Sequence, residues 1–207
     1  MSGSADPVVG RPSKAIYLYV FPGFADWEPA HALAELARHG RYRTVAIASE
    51  TGAVPSMGGL SVLASGSVRD ADPDDVALLV LPGGDRWETH PPDDALLRLA
   101  AALMDRGTPV AAICAATLAL ARAGLLRGRR HTSNGVPYLR RLAPGYAGAE
   151  LYVDAPAVRD RGLITASGLS DVEFAEAIMA ELGVLTEEDR RRWTGLFRGG
   201  RVPGEDL

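Results

Sequence analysis

The chain has one cysteine, so no disulfide can form within it, and the setting that suits it is a reducing cytosol. It has no basic excess: 22 Lys and Arg stand against 26 Asp and Glu, a formal net charge of -4. Sequence-independent nucleic-acid binding needs a basic footprint, so the chain is a poor candidate for it, although an acidic substrate stays open. No apolar run approaches the roughly 20 residues of a membrane span, which argues against membrane insertion. The four histidines are scattered, and with the lone cysteine they show no zinc spacing, so neither a metal nor another cofactor is expected. Internal repeats, linkers and low-complexity segments are also missing. Met1–Arg11 lacks the basic and apolar regions of a signal peptide and reads as a loose arm.

What the chain does have is 207 residues, 47% of them hydrophobic, enough for one domain with a full core. Ala15–Phe21 is an apolar run of strand length that stops at Pro22-Gly23. Trp27, Ala30, Leu33, Ala34 and Ala37 recur at helical spacing, ended by His39-Gly40. Arg43–Ala48 is a second strand, and Thr51–Leu63 reads as a small hairpin. Further strands are expected at Ala77–Leu81, Pro109–Ile113, Glu150–Val153 and Leu163–Thr165. Further helices are expected at Asp94–Arg106, Ala116–Ala123 and Asp171–Leu182, and one opening at Thr186.

Alternating strands and helices indicate an α/β fold with a mainly parallel sheet. The expected division is an arm over 1–13, a domain over 14–185, and a C-terminal helix and tail over 186–207. That last segment packs either on the domain or on a dimer partner. In such sheets ligands bind beyond the carboxyl ends of the strands. Gly23–Glu28, Gly83-Gly84 and Cys114 all fall there.

Val110–Ile113, Cys114, Ala115-Ala116 and the following helix have the order of a nucleophile elbow. The residue on such a turn is strained, so its neighbours must be small. The helix N-terminus behind it is expected to bring the thiol pKa from about 8.5 into roughly the 3.5–7.5 range. The Ala115 N–H faces the place of an oxyanion, and Gly84 could supply a second donor. Glu28 has two readings. It is either an acid in the first helical turn complementing the dipole, or a partner of Cys114 that holds a proton in a poorly solvated pocket.

These residues resemble the ThiJ/PfpI superfamily, with its class I glutamine amidotransferase-like fold, over about residues 14 to 183. The marks are Phe21-Pro22-Gly23 with Glu28, Leu81-Pro82-Gly83-Gly84, Ala112–Ala116, Leu125–Arg129, Leu163–Gly168 and Glu173-Phe174-Ala175. The resemblance implies a flavodoxin-like three-layer sandwich and often a homodimer. It also implies an easily oxidised cysteine hydrogen-bonded by a protonated glutamate, here Cys114 and Glu28. Members range from glyoxalase-type and deglycase-type enzymes, peptidases, amidases and hydratases to oxidative-stress proteins, so the fold follows more firmly than the reaction.

One branch places a His directly after the cysteine, where this chain has Ala115. Another places it twenty residues later, where this chain has Asn134. His131 is three residues earlier and on an extended strand would face away from Asn134. His90 is a second possible substitute. Asp85, Trp87 and Glu88 are candidates to line the pocket or a subunit interface. Asn134 can orient a carbonyl or a water but cannot act as a base.

The function expected is a cysteine-dependent hydrolase or lyase acting on a small molecule with a reactive carbonyl or amide-like carbon. The alternative is a redox sensor whose thiol is oxidised to sulfenic or sulfinic acid. A glutamine amidotransferase would need a late His-x-Glu pair, which is missing.

Overall fold

A computed structural model describes residues 14–39 and 42–199. The expected arm over 1–13, Gly40 at the end of the first helix, and the tail after Gly199 lie outside the described residues. In chain order the elements are β1 (Ala15–Tyr19), α1 (Ala30–Arg38), β2 (Thr44–Ala48), β3 (Gly52–Pro55), β4 (Ser61–Ala64), β5 (Gly66–Ser67), β6 (Val76–Leu81), α2 (Arg86–Thr89), α3 (Asp94–Asp105), β7 (Val110–Ile113), α4 (Ala116–Arg122), α5 (Val136–Leu142), β8 (Ala157–Asp160), β9 (Leu163–Ala166), α6 (Asp171–Glu181) and α7 (Glu187–Gly199).

Seven strands form one sheet in the order β5-β2-β1-β6-β7-β9-β8. Every neighbouring pair is parallel except β8 with β9. The central strands β1, β6, β7 and β9 are buried at nearly every position, as their unbroken apolar sequence requires when helices cover both faces. The chain leaves β1 toward β2 in one direction and leaves β6 toward β7 in the other. Right-handed crossovers then set α1 and α3 on opposite faces. α6 packs on α1, and α7 on α6, which completes one outer layer; α3, α4 and α5 form the other. This is the expected α/β sandwich. The point where the topology reverses, between β1 and β6, opens a crevice at the strands' carboxyl ends.

α1 starts at Ala30 rather than near Trp27 because Pro29 disfavours helical geometry in the residue before it. Glu28 therefore precedes the helix, and its reading as a first-turn acid falls. Glu150–Val153 is not a strand: it forms a short 3-10 turn over Ala149–Leu151 and a single bridge from Tyr152 to His131. β8 was not expected. It turns into β9 through Arg161 and Gly162, both at positive φ (50° and 77°), the backbone of a two-residue hairpin. α7 packs on its own chain. His31 of α1 stacks edge-on against Trp193 and Phe197, and Arg190 and Arg198 pair with Glu176 and Glu173 of α6. At the end of α4, Arg122 donates from Nε and Nη2 to the Leu142 carbonyl (3.1 and 2.9 Å) and from Nη1 to the Trp87 carbonyl (2.6 Å).

Candidate active site

Cys114 follows β7 directly and has φ 58°, a left-handed conformation that costs a residue with a side chain about 1–3 kcal/mol. Its surroundings hold it there. The Cys114 N–H donates to the Ala166 carbonyl (3.0 Å). The Cys114 carbonyl accepts from the Thr117 N–H (3.2 Å) and the Thr117 hydroxyl (2.7 Å). The Thr117 hydroxyl in turn pairs with the buried Ser133 hydroxyl (2.6 Å). The elbow read from the sequence is present.

Glu28 is 1% exposed and touches the Cys114 sulfur. Its Oε2 accepts a 2.5 Å hydrogen bond from the Gly83 N–H at the end of β6. Two glycines make room for the pair. A Cβ on Gly83 would stand 2.7 Å from Glu28 Oε2 and 2.8 Å from Cys114 Cβ, and one on Gly168 would stand 2.7 Å from the sulfur. Asn134 completes the contact: its Nδ2 donates to the sulfur (3.4 Å) and its Oδ1 accepts from the Gly168 N–H (2.9 Å). It sits on a loop before α5, not on a strand. A cavity of about 490 Å³ opens above the pair, walled by Trp27, Tyr152 and Leu169 and bearing Asp154 at its edge.

Burial pushes Glu28 up to about 7, against the Gly83 N–H and the sulfur contact that favour its ionised form. Burial first, and the Glu28 charge second, push the Cys114 thiol up to about 11, against the Asn134 amide and the Ala115 N–H. The expected depression of the thiol pKa is thus overturned. The donors behind the sulfur are outweighed by desolvation and by a second acid in the same pocket. The two groups titrate as a pair. After one proton has left, the remaining one sits on either the carboxyl or the sulfur. The Gly83 N–H stabilises the ionised carboxyl, and the Ala115 N–H and Asn134 amide stabilise a thiolate; Glu28, the lower of the two, releases its proton first and leaves a carboxylate beside a neutral thiol.

The other residues singled out from the sequence lie elsewhere. Gly83, rather than Gly84, touches the pair. The Gly84 N–H is engaged by no described residue. His131 is fully buried, bonded through Nδ1 to the Arg129 carbonyl (2.7 Å) and through Nε2 to the Tyr146 hydroxyl, so it does not line the cavity. His131 does turn away from Asn134, but not by strand alternation: it makes a single bridge to Tyr152, and Asn134 lies on the loop that follows. Asp85 and Trp87 do not line the cavity either. Asp85 precedes α2 in exposed backbone, and buried Trp87 donates from Nε1 to the Pro82 carbonyl (2.8 Å) on the far side of the turn. His90 pairs with the Thr89 hydroxyl, away from the thiol. Glu88 accepts from Tyr138 (2.8 Å). Sequence reasoning missed Gly168, Thr117 and Ser133 as site residues. For Gly168 the signal was a glycine just past a buried strand.

Among the described residues no group of three His, Cys, Asp or Glu side chains converges to hold a metal ion. No described helix is long and apolar enough to cross a membrane.

Residues 14–181 match the model of the DJ-1/PfpI family. The chain belongs to that family. It is 36% identical over 191 residues to the uncharacterized protease YoaZ of Bacillus subtilis, covering 87% of this chain and 89% of that one. It is 30% identical over 150 residues to the deglycase TK1284 of Thermococcus kodakarensis, 72% of this chain and 87% of that one. A thiJ/pfpI family protein from Bacillus anthracis has the same fold, with a TM-score of 0.85 at 33% identity, covering 91% of this chain and 92% of that one.

Proposed function

We propose that this protein is an enzyme that adds the Cys114 sulfur to a reactive carbonyl of a small molecule, with Glu28 carrying the proton. The observation that supports this most is the contact of an elbow thiol with a buried carboxyl near neutral pKa, at the base of an open cavity. The Glu28 carboxylate takes the thiol proton as the sulfur attacks the carbonyl carbon, and a C–S bond forms. The carbonyl π pair moves to oxygen, where the Ala115 N–H and the free Gly84 N–H are the donors assigned to the oxyanion. Glu28 then passes its proton to that oxygen, leaving a hemithioacetal and a carboxylate. The carboxylate can take a proton back in a later step, so Glu28 supplies the shuttle that the absent histidine would have provided.

An amide makes larger demands. Its nitrogen must be protonated to leave, and a water must then be activated to release the acyl group. Among the described residues Glu28 is the one titratable side chain touching the sulfur, and no histidine lines the cavity. This favours carbonyl addition over peptide cleavage, and fits the relative named a deglycase better than the one named a protease. A cytoplasmic homodimer is part of the same reading.

The test is consumption of methylglyoxal by purified protein, run beside an unactivated peptide, with Cys114→Ala as control. Consumption of the aldehyde that falls at least about a thousandfold in the variant is expected. No Cys114-dependent consumption of the aldehyde would sink the proposal.

The second reading, a redox sensor, is favoured by one feature. The sulfur has a carboxyl and an amide beside it to hold an oxidised product, and the chain has no second cysteine to resolve one. Intact mass after mild peroxide decides it: one or two added oxygens on the wild type and none on Cys114→Ala support the sensor.

A further inference from the structure

The same end of the sheet carries a second cavity on the α3 side, of about 550 Å³. Three buried rings line its inner part, Tyr19, Phe21 and Trp87, with Trp87 edge-on to Phe21 at 5.1 Å. Three arginines from three elements stand around it: Arg69 from the loop after β5, Arg86 from α2 and Arg98 from α3. None of their guanidinium groups makes a direct ion pair or hydrogen bond with a described residue, although Arg69 is near enough to Asp93 to attract it. Three of the four arginines on α7 are different: Arg190, Arg191 and Arg198 are each paired with a glutamate.

Between the arginines and the rings lies a short polar chain. The Tyr19 hydroxyl meets the Ser49 hydroxyl at 3.2 Å, and Ser49 also hydrogen-bonds the half-buried Asp93. Asp93 also accepts the Ala95 N–H at 2.8 Å and is attracted by Arg69. Exposed Asp94 and His90 complete the wall.

The arginines ask for an oxyanion with several oxygens, which guanidinium forks bind in parallel pairs. Asp93 and Asp94 repel a bare anion and, with the Tyr19–Ser49 pair, would accept and donate to neutral hydroxyl groups. The rings would cover the apolar side of a small carbon skeleton. We propose that this cavity binds a small phosphomonoester bearing hydroxyl groups, a compound of the sugar-phosphate class, with Arg69, Arg86 and Arg98 on the phosphate and Asp93 on a hydroxyl.

The experiment is calorimetric titration of the full chain at fixed ionic strength with ribose 5-phosphate, inorganic phosphate and ribose. Saturable one-site binding of ribose 5-phosphate is expected, with inorganic phosphate about tenfold weaker and ribose weaker still. Arg69→Gln and Arg98→Gln should each weaken ribose 5-phosphate about tenfold, and Arg69→Lys by less. Circular dichroism confirms that each exposed-arginine variant is folded. Cys114→Ala should bind as the wild type does, which separates this cavity from the thiol. The proposal is overturned if ribose 5-phosphate shows no saturable binding. It is equally overturned if the arginine variants bind unchanged, if inorganic phosphate binds as tightly, or if Cys114→Ala abolishes binding.

Discussion

Glu28 and Asp93 are both carboxyls at the same end of one sheet, and their environments move them in opposite directions. Glu28 is buried against a second acid in a cavity lined by no arginine or lysine among the described residues, and burial raises it to about 7. Asp93 also feels burial, but the Ser49 hydroxyl, two backbone N–H groups and Arg69 overcome it, and its pKa is lowered. The comparison separates two uses of an acid. A group starved of donors keeps its proton to near neutrality and can exchange it. A group surrounded by donors stays charged and can only hold or orient.

The largest expected break in that contrast comes from Glu28→Gln. It keeps an acceptor for the Gly83 N–H but removes the exchangeable proton. Turnover of methylglyoxal should fall by about a hundredfold or more. With the neighbouring charge gone, the thiol should titrate below about 11 in an iodoacetamide rate profile. A variant that turns over normally would show that the carboxyl is a structural group. In the wild type the rate should rise with pH through about 7, as the pair loses its first proton, and fall toward about 11.

Next is stability. The folded state holds the Glu28 proton up to about 7, whereas the unfolded chain releases it near the ordinary 4.5. Folded protein therefore binds more protons between those values. The associated stability is fully present below about 4.5 and is lost as pH rises through about 7, a difference of about 3 kcal/mol. Glu28→Gln should lack that slope in urea midpoints at pH 5 and 8. Asp93 acts with the opposite sign: its contribution is present above its ordinary value and is lost as pH falls through its lowered folded pKa. Equal slopes in wild type and Glu28→Gln would remove the contrast.

A smaller effect is expected at Gly168. The added Cβ of Gly168→Ala would overlap the sulfur at 2.7 Å, so a loss of about 1–3 kcal/mol is expected by denaturant titration, with slower alkylation of Cys114. The smallest is Trp87→Phe. It removes the hydrogen bond to the Pro82 carbonyl, worth about 1 kcal/mol, from the turn whose next residue holds Glu28. If thiol reactivity stays the same while ribose 5-phosphate binding changes, the two cavities are independent.

Much of this was legible in the sequence because the strands are apolar on both faces and end in glycine or a small residue. The elbow and the parallel sheet followed from that; the meeting of Glu28 with Cys114 was one of two readings of the residues and was singled out by the family resemblance. β8 did not, because Arg161 stands at a positive φ where Asn or Gly would have announced a turn. α5 was missed because its short run, Val136–Leu142, carries a proline in its first turn. The thiol's pKa was misjudged for a different reason. The helix N-terminus is visible in a linear pattern, but desolvation and a carboxyl from another element depend on packing. Of the two places open to Asp85 and Trp87, the pocket and a subunit interface, the pocket falls away because chain proximity to Gly84 says nothing about which face of the sheet a turn leads to.

Arg122 ties the far end of α4 to carbonyls within α2 and at the end of α5. For the elbow to open on its own, α4 would have to swing, releasing those acceptors and exposing a helix buried from Ala116 to Ala121. That is close to unfolding the domain, so partial opening is not a cheap excursion. The Cys114 and Thr117 amides should therefore exchange with solvent as slowly as those of the central strands, because both are hydrogen-bonded within this closed part of the fold.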